Sequence, residues 1–62
     1  KPNDATHHNS LGNALYAQGK LEEAIAELEI AVRLDPNRTL FREDLERYKN
    51  KKKGFFRRLF GS

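Results

Sequence analysis

Apolar residues recur along the chain at helical spacing in three segments. The clearest pattern runs from about Leu21 to Leu34, where intervals of three and one place the apolar side chains on one broad helical face: Leu21, Ala24, Ile25, Leu28, Ala31 and Val32. No stretch shows the period-two alternation of a half-buried β-strand. The pattern therefore predicts an all-α fold.

The first predicted helix runs from about Thr6 to Gln18. Asp4 or Thr6 is placed to cap its start, and Gly19 suits the left-handed position just past its end. Its apolar side is predicted to carry Leu11, Ala14, Leu15 and Ala17.

A third amphipathic helix is predicted after Pro36, which lacks a backbone N–H and separates it from the second helix. Asn37 is a favourable N-cap, and the core-facing residues at intervals of four and three are Phe41, Leu45 and Tyr48. Gly54 is a weaker break. We therefore predict a helix over residues 39–53 and a basic-aromatic tail over residues 54–62, which either ends the helix or continues it.

The overall composition says less about function than the distribution of charge along the chain. The chain has 62 residues, no cysteine and no run of apolar residues long enough to cross a membrane,. Residues 1–36 carry a net charge of −3 and residues 37–62 a net charge of +6, and the last fourteen residues contain no acid. This asymmetry indicates either a tail that meets an anionic partner or a solvated basic helix end.

The stretch SLGNALYAQGKLEEAIAELEIAVRLDPN, from Ser10 to Asn37, resembles a tetratricopeptide repeat, a helix–turn–helix unit of about 34 residues. The matching positions are Leu11, Gly12, Leu15, Tyr16, Gly19, Leu21, Glu23, Ala24, Ile25, Leu28, Ala31, Leu34, Asp35, Pro36 and Asn37. In this register one full repeat covers residues 5–38. The two helices of the hairpin are expected to approach most closely at Gly12 and Ala24, which are both small.

The third helix resembles the capping helix that ends such arrays. His8 departs from the family pattern, because it stands where an aromatic residue often anchors the first helix. A single repeat cannot bury its apolar face alone. The chain is thus expected to be the last repeat and cap of a longer array, or a small protein that self-associates to cover its open N-terminal face.

Members of this family usually bind extended peptides or helices in a groove lined by the first helix of each repeat. The resemblance implies these groove candidates: Thr6, Asn9, Ser10, Asn13, Tyr16 and Ala17, followed by Glu43, Asp44 and Arg47 on the cap. Members that clamp a peptide carboxylate need a Lys where this chain has Asn9, so that ligand is disfavoured, although their Asn is kept as Asn13. The alternative is a solvated polar face.

Catalytic and metal chemistry find little support in the sequence. His7 and His8 are adjacent on a helix and point about 100° apart, so they do not chelate one ion together. No Ser or Thr has an evident base, and no phosphate-binding glycine loop is present. We therefore expect no enzyme, no cofactor and no metal.

The tail KKKGFFRRLFGS admits three interpretations, which concern Lys51, Lys52, Lys53, Phe55, Phe56, Arg57, Arg58, Leu59 and Phe60. The first continues the third helix, so that Phe55 and Leu59 pack on the body of the repeat or on a partner. The second ends the helix at Gly54 and forms an amphipathic turn on an anionic membrane. The third is a nucleic-acid contact, which is disfavoured because clustered phenylalanines suit lipid or a protein groove better.

The function predicted from these features is that of a non-catalytic, cytoplasmic protein-interaction scaffold, which binds a peptide or helix or a second copy of itself. The alternative is a peripheral membrane adaptor whose tail contacts anionic lipid.

Overall fold

The computed structural model describes residues 5–60, except for the side chains of Phe55, Phe56 and Phe60. Three helices follow one another: α1 (Ala5–Ala17), α2 (Leu21–Leu34) and α3 (Thr39–Phe60). The described residues contain no strand, and the all-α prediction is confirmed. The proposed cap at Asp4 and the last two tail residues lie outside the described range.

A three-residue turn joins α1 and α2. Gly19 adopts the left-handed conformation with φ 83°, which costs glycine little because it has no Cβ. Its N–H donates to Tyr16 O at 2.9 Å, and the next N–H, of Lys20, donates to Leu15 O at 2.9 Å. These two bonds form a Schellman motif, so Gly19 ends α1 as predicted and reverses the chain into a hairpin.

The α1–α2 hairpin closes over small residues. A Cβ atom on Gly12 would lie 3.1 Å from Ala24 O and 3.2 Å from Leu28 Cγ, so a larger residue would require the neighbouring atoms of α2 to shift by a few tenths of an ångström. Ala24, Leu28 and Ala31 are fully buried on the facing side of α2. The expected close approach at Gly12 and Ala24 is therefore confirmed.

The buried face of α1 differs from the predicted one. Leu11 is 40% exposed, Ala14 and Ala17 are also exposed, and only Leu15 of the predicted set is half-buried. The residues of α1 that are buried are Ala5, Asn9 and Gly12. The prediction was wrong because it followed the apolar side chains alone, whereas α1 packs through Ala5, the polar Asn9 and Gly12.

Helix α3 runs back along α2. Phe41 packs with Ala31 and Ala5, while Leu45 and Tyr48 join the cluster around Ile25 and Leu28. The predicted core positions of α3 are therefore buried.

Two predicted caps are wrong. Helix α3 begins at Thr39, so Arg38 and not Asn37 is the residue that precedes it. Thr6 lies inside α1, which begins at Ala5, and so does not cap it.

Helix α3 does not end at Gly54 but continues to Phe60. Its 22 residues span about 33 Å at 1.5 Å per residue, against about 21 Å for the 14 residues of α2,. The backbone therefore follows the first interpretation of the tail, a single long helix. The last two turns, residues 54–60, are called the α3 extension below.

Candidate functional site

A strip of exposed residues runs along the outer side of α1. Its members are separated by intervals of four, three and four residues, which places them on one helical face, and all four are exposed: Thr6, Ser10, Asn13 and Ala17. This set, called the α1 strip below, contains four of the six groove candidates predicted on α1. The two others, Asn9 and Tyr16, are placed differently.

Asn9 and Asp44 face each other between α1 and α3. Asn9 is 9% exposed and Asp44 is 7% exposed, and Asn9 Nδ2 donates to Asp44 Oδ2 at 3.2 Å. Arg47 Nη1 donates to the other oxygen, Asp44 Oδ1, at 3.1 Å. A buried carboxylate needs such partners, because an unpaired buried charge is costly. Asn9 and Asp44 thus connect two helices, while the Arg47 side chain, 60% exposed, reaches the surface.

Two tyrosines extend this contact toward the end of the hairpin that carries the Gly19 turn. The rings of Tyr16 and Tyr48 stack with centroids 4.4 Å apart and planes 11° from parallel. The Tyr48 hydroxyl donates to Asn13 Oδ1. We call the whole set the α1–α3 polar seam: Asn9, Asn13, Tyr16, Asp44, Arg47 and Tyr48.

The surroundings of Tyr48 in the seam favour its neutral form. Burial raises the pKa of the Tyr48 phenol above its usual value of 10.0, the negative charges of Asp44 and of ionised Tyr16 raise it further, and Arg47 opposes them. The Tyr48 hydroxyl therefore remains a hydrogen-bond donor through the neutral range. Among the cap candidates, Glu43 is simply exposed.

The basic tail residues are mostly on the surface. Lys51, Lys53, Arg57 and Arg58 are exposed, and Leu59 is 58% exposed. Lys52 is half-buried, and its Nζ lies 3.4 Å from Glu22 Oε2 at the start of α2. The expected packing of Leu59 on the repeat is therefore wrong for the free chain. The predicted packing of Phe55, like the roles of Phe56 and Phe60, rests on side chains that are outside the described set.

Sequence inspection missed a groove between α2 and α3. It has a volume of about 280 Å³ and is lined by Ile25, Glu29, Lys49, Lys52 and Lys53. Three of these residues, Ile25, Glu29 and Lys49, were not predicted as site residues. The signal that could have revealed the groove is the spacing of Lys49 and Lys53, which lie one helical turn apart on the same face of α3.

The histidine pair contributes to the hairpin. His8 Nδ1 lies 2.8 Å from Glu27 Oε1 on α2, and the His7 and His8 rings meet edge to face at 5.5 Å. Within residues 5–60, no group of three or more His, Cys, Asp or Glu side chains is arranged to hold a metal ion. His8 thus links α1 to α2 at the position where the sequence pattern lacks an aromatic anchor.

The span of residues 12–41 matches the family model described as TPR repeat. This span covers the second half of α1, all of α2 and the first residues of α3, and the three helices agree with one such repeat followed by an extra helix. No curated protein and no solved structure gives a significant match. In the described part of the chain, no helix is both long and apolar enough to cross a membrane.

Proposed function

Since the chain contains a TPR repeat, and such repeats generally mediate protein–protein interaction, we propose that it is a non-catalytic module that binds a peptide or helix of another protein. The proposed binding surface is the α1 strip together with Arg47. The observation that carries the proposal is the strip itself, a line of exposed, mostly polar residues on one face of α1.

The α1–α3 polar seam supports this surface from beneath. Asn13 belongs to both the strip and the seam, and its side-chain oxygen is held by the Tyr48 hydroxyl. Arg47 is likewise oriented by its bond to Asp44. Side chains fixed before binding lose less conformational entropy when a ligand arrives. The seam therefore orients two polar groups for contact with a peptide backbone.

The proposal is tested by selecting peptides from a displayed random library against the full chain. We expect the selected peptides to shift the backbone amide resonances of the α1 strip and of Arg47. Ala17→Arg should weaken binding by at least about tenfold, equivalent to about 1.4 kcal/mol, because it fills the strip with a long charged side chain.

Ala26→Arg is the matched control, because Ala26 is an exposed helical alanine on α2, away from the strip. It should leave peptide affinity within about twofold. Equal losses in the two variants, or resonance shifts confined to another surface, would overturn the α1 strip as the binding site.

A second candidate function is that of a membrane adaptor, favoured by the α3 extension. Arg57, Arg58 and Leu59 are all exposed there, and a basic side chain near an anionic bilayer contributes about 1 kcal/mol. In this second role the chain would act at the cytoplasmic surface of a membrane.

Size-exclusion chromatography with light scattering separates these roles. The full chain and a chain ending at Lys53 are compared with and without vesicles of anionic phospholipid. Co-migration of the full chain only, with unchanged helicity of residues 5–53, would support the adaptor role. If the full chain instead forms a defined oligomer without lipid, and truncation dissociates it, the partner of the extension is a second copy of the chain. If truncation changes neither vesicle binding nor oligomeric state, both roles of the extension are excluded.

A further inference from the structure

We infer that the groove between α2 and α3 is a second protein-binding site, which takes an acidic segment carrying an apolar side chain. The site goes beyond the proposed function, because it lies on a different surface from the α1 strip. It is formed by Ile25, Glu29, Lys49, Lys52 and Lys53.

The floor of the groove is apolar and its rim is cationic. Ile25 is 8% exposed and lines the groove together with three lysines. The aliphatic stem of a lysine can cover apolar surface while its ammonium group stays in water. The volume, about 280 Å³, is slightly below the roughly 300–1,000 Å³ of typical small-molecule sites. The groove therefore suits one apolar side chain of a longer polypeptide better than a whole small molecule.

The charges on the rim specify the chemistry of that polypeptide. Three lysines face one acidic residue of the lining, Glu29, and Lys52 is also close to Glu22. Among the described residues, neither Lys49 nor Lys53 has an acidic partner at ion-pair distance. Both are exposed and stand one turn apart on the same face of α3. Two lysines at this spacing are complementary to carboxylates carried one turn apart on a helical partner.

The groove is separate from the other two candidate surfaces. Arg47 of the proposed peptide site and Lys49 are two residues apart, so they point about 160° apart around the axis of α3. Arg57 and Arg58 belong to the α3 extension, beyond the start of α2. An acidic segment in the groove would therefore leave both the α1 strip and the extension accessible.

The test uses a fluorescein-labelled peptide of repeated Glu-Glu-Leu-Glu units and the full chain. Fluorescence anisotropy at low salt should show saturable binding that weakens as salt is added. Lys49→Glu/Lys53→Glu should reduce affinity by at least about tenfold. A peptide with Ala in place of Leu should bind more weakly than the parent peptide, because the apolar floor loses its contact.

Lys51→Glu/Arg58→Glu is the matched control, since it changes the net charge by the same amount at exposed positions of the same helix outside the groove. It should keep affinity within about threefold. An equal loss in both double variants would show that only the overall positive charge attracts the peptide and would overturn the site. Insensitivity to the Leu→Ala change would also overturn it, and so would binding of anionic phospholipid vesicles without binding of the peptide.

Two further measurements keep the test decisive. If the Lys49→Glu/Lys53→Glu chain is unfolded by circular dichroism, amide shifts of the unmodified chain on titration with the peptide should centre on Ile25, Glu29 and Lys49; shifts elsewhere would contradict the proposal. The Ala17→Arg variant should bind this peptide normally. Failure of the α1 strip and failure of the groove are thus distinguishable.

Discussion

The two parts of α3 are one continuous helix with one stripe of residues, yet they have opposite surroundings. Phe41, Leu45 and Tyr48 in the first part are 2%, 8% and 5% exposed, whereas Leu59 in the α3 extension is 58% exposed. Leu59 continues the same stripe, at helical spacing from Tyr48. The comparison shows that an amphipathic pattern predicts a helix but does not say whether its apolar face has something to pack against.

The difference follows from the length and direction of α2. Helix α3 runs antiparallel to α2, and Lys52 already lies beside Glu22, the second residue of α2. Residues of α3 after Lys52 therefore pass the point where α2 begins. Nothing in the described hairpin extends far enough to cover Leu59.

The contrast between the two parts of α3 is tested most strongly by truncating one large side chain in each part. Phe41→Ala should lower the free energy of unfolding by about 3–5 kcal/mol, because Phe41 fills the contact with Ala31 and Ala5. In a chain of this size that loss should leave much of the population unfolded. Urea denaturation followed by circular dichroism measures it.

Leu59→Ala is the counterpart in the α3 extension. Its effect on the free energy of unfolding should stay within about 0.5 kcal/mol, as for most surface substitutions. A loss comparable to that of Phe41→Ala would mean that Leu59 is packed in solution, and the contrast between the two parts of α3 would be wrong.

A smaller loss of stability is expected when a polar contact of the first part of α3 is removed. Tyr48→Phe removes the hydroxyl that donates to Asn13 but keeps the ring stacked on Tyr16. The free energy of unfolding should fall by about 0.5–1.5 kcal/mol. Thermal denaturation of the two chains at neutral pH measures this change, and an unchanged midpoint would show that the hydrogen bond adds nothing to the packing.

The same substitution should change the response to alkali. The pKa of Tyr48 is raised above 10.0 in the folded chain, so the unfolded chain releases this proton at a lower pH. The stabilising contribution is therefore complete below about pH 10 and is lost as the pH rises toward the folded-state pKa. Tyr48→Phe should lack this part of the alkaline loss, and identical pH profiles for the two chains would contradict the shift.

The smallest change in stability is expected from replacing a glycine of α3 by alanine. A Cβ on Gly54 would meet nothing within 4 Å, so Gly54→Ala should stabilise the α3 extension by about 0.5–1 kcal/mol through helix propensity alone. Helicity by circular dichroism should rise. Gly12→Ala adds the same methyl group against Ala24 O and Leu28 Cγ and should lower the midpoint of denaturation. Equal responses of the two glycines would show that the hairpin relaxes freely around Gly12.

Local signals in the sequence were enough for much of the fold. Helix α2 begins and ends where its apolar spacing and Pro36 indicate, from Leu21 to Leu34, and Gly19 takes the left-handed conformation expected past the end of α1. Such features depend on residues a few positions apart. They are therefore readable without knowing how the helices pack.

Features that depend on packing were not readable in the same way. The buried face of α1 includes the polar residue Asn9, which a search for apolar residues passes over. Asn9 was predicted as a groove residue, but its hydrogen bond to Asp44 joins positions 35 residues apart. The low helix propensity of glycine predicted a break at Gly54, yet α3 continues through this residue to Phe60. The groove at Ile25 and Lys49 arises only when α3 lies along α2.

The short turn at Gly19 also has a kinetic consequence. Because α1 and α2 are joined by so few residues, most of their contacts close small loops, and such local topology favours fast folding. The bond between Asn9 and Asp44 instead closes a loop across most of the chain. We expect it to form after the folding barrier, so that Asn9→Ala should mainly accelerate unfolding and leave the folding rate nearly unchanged. The hairpin would then set how fast the molecule forms, and the α1–α3 polar seam would set how long it lasts.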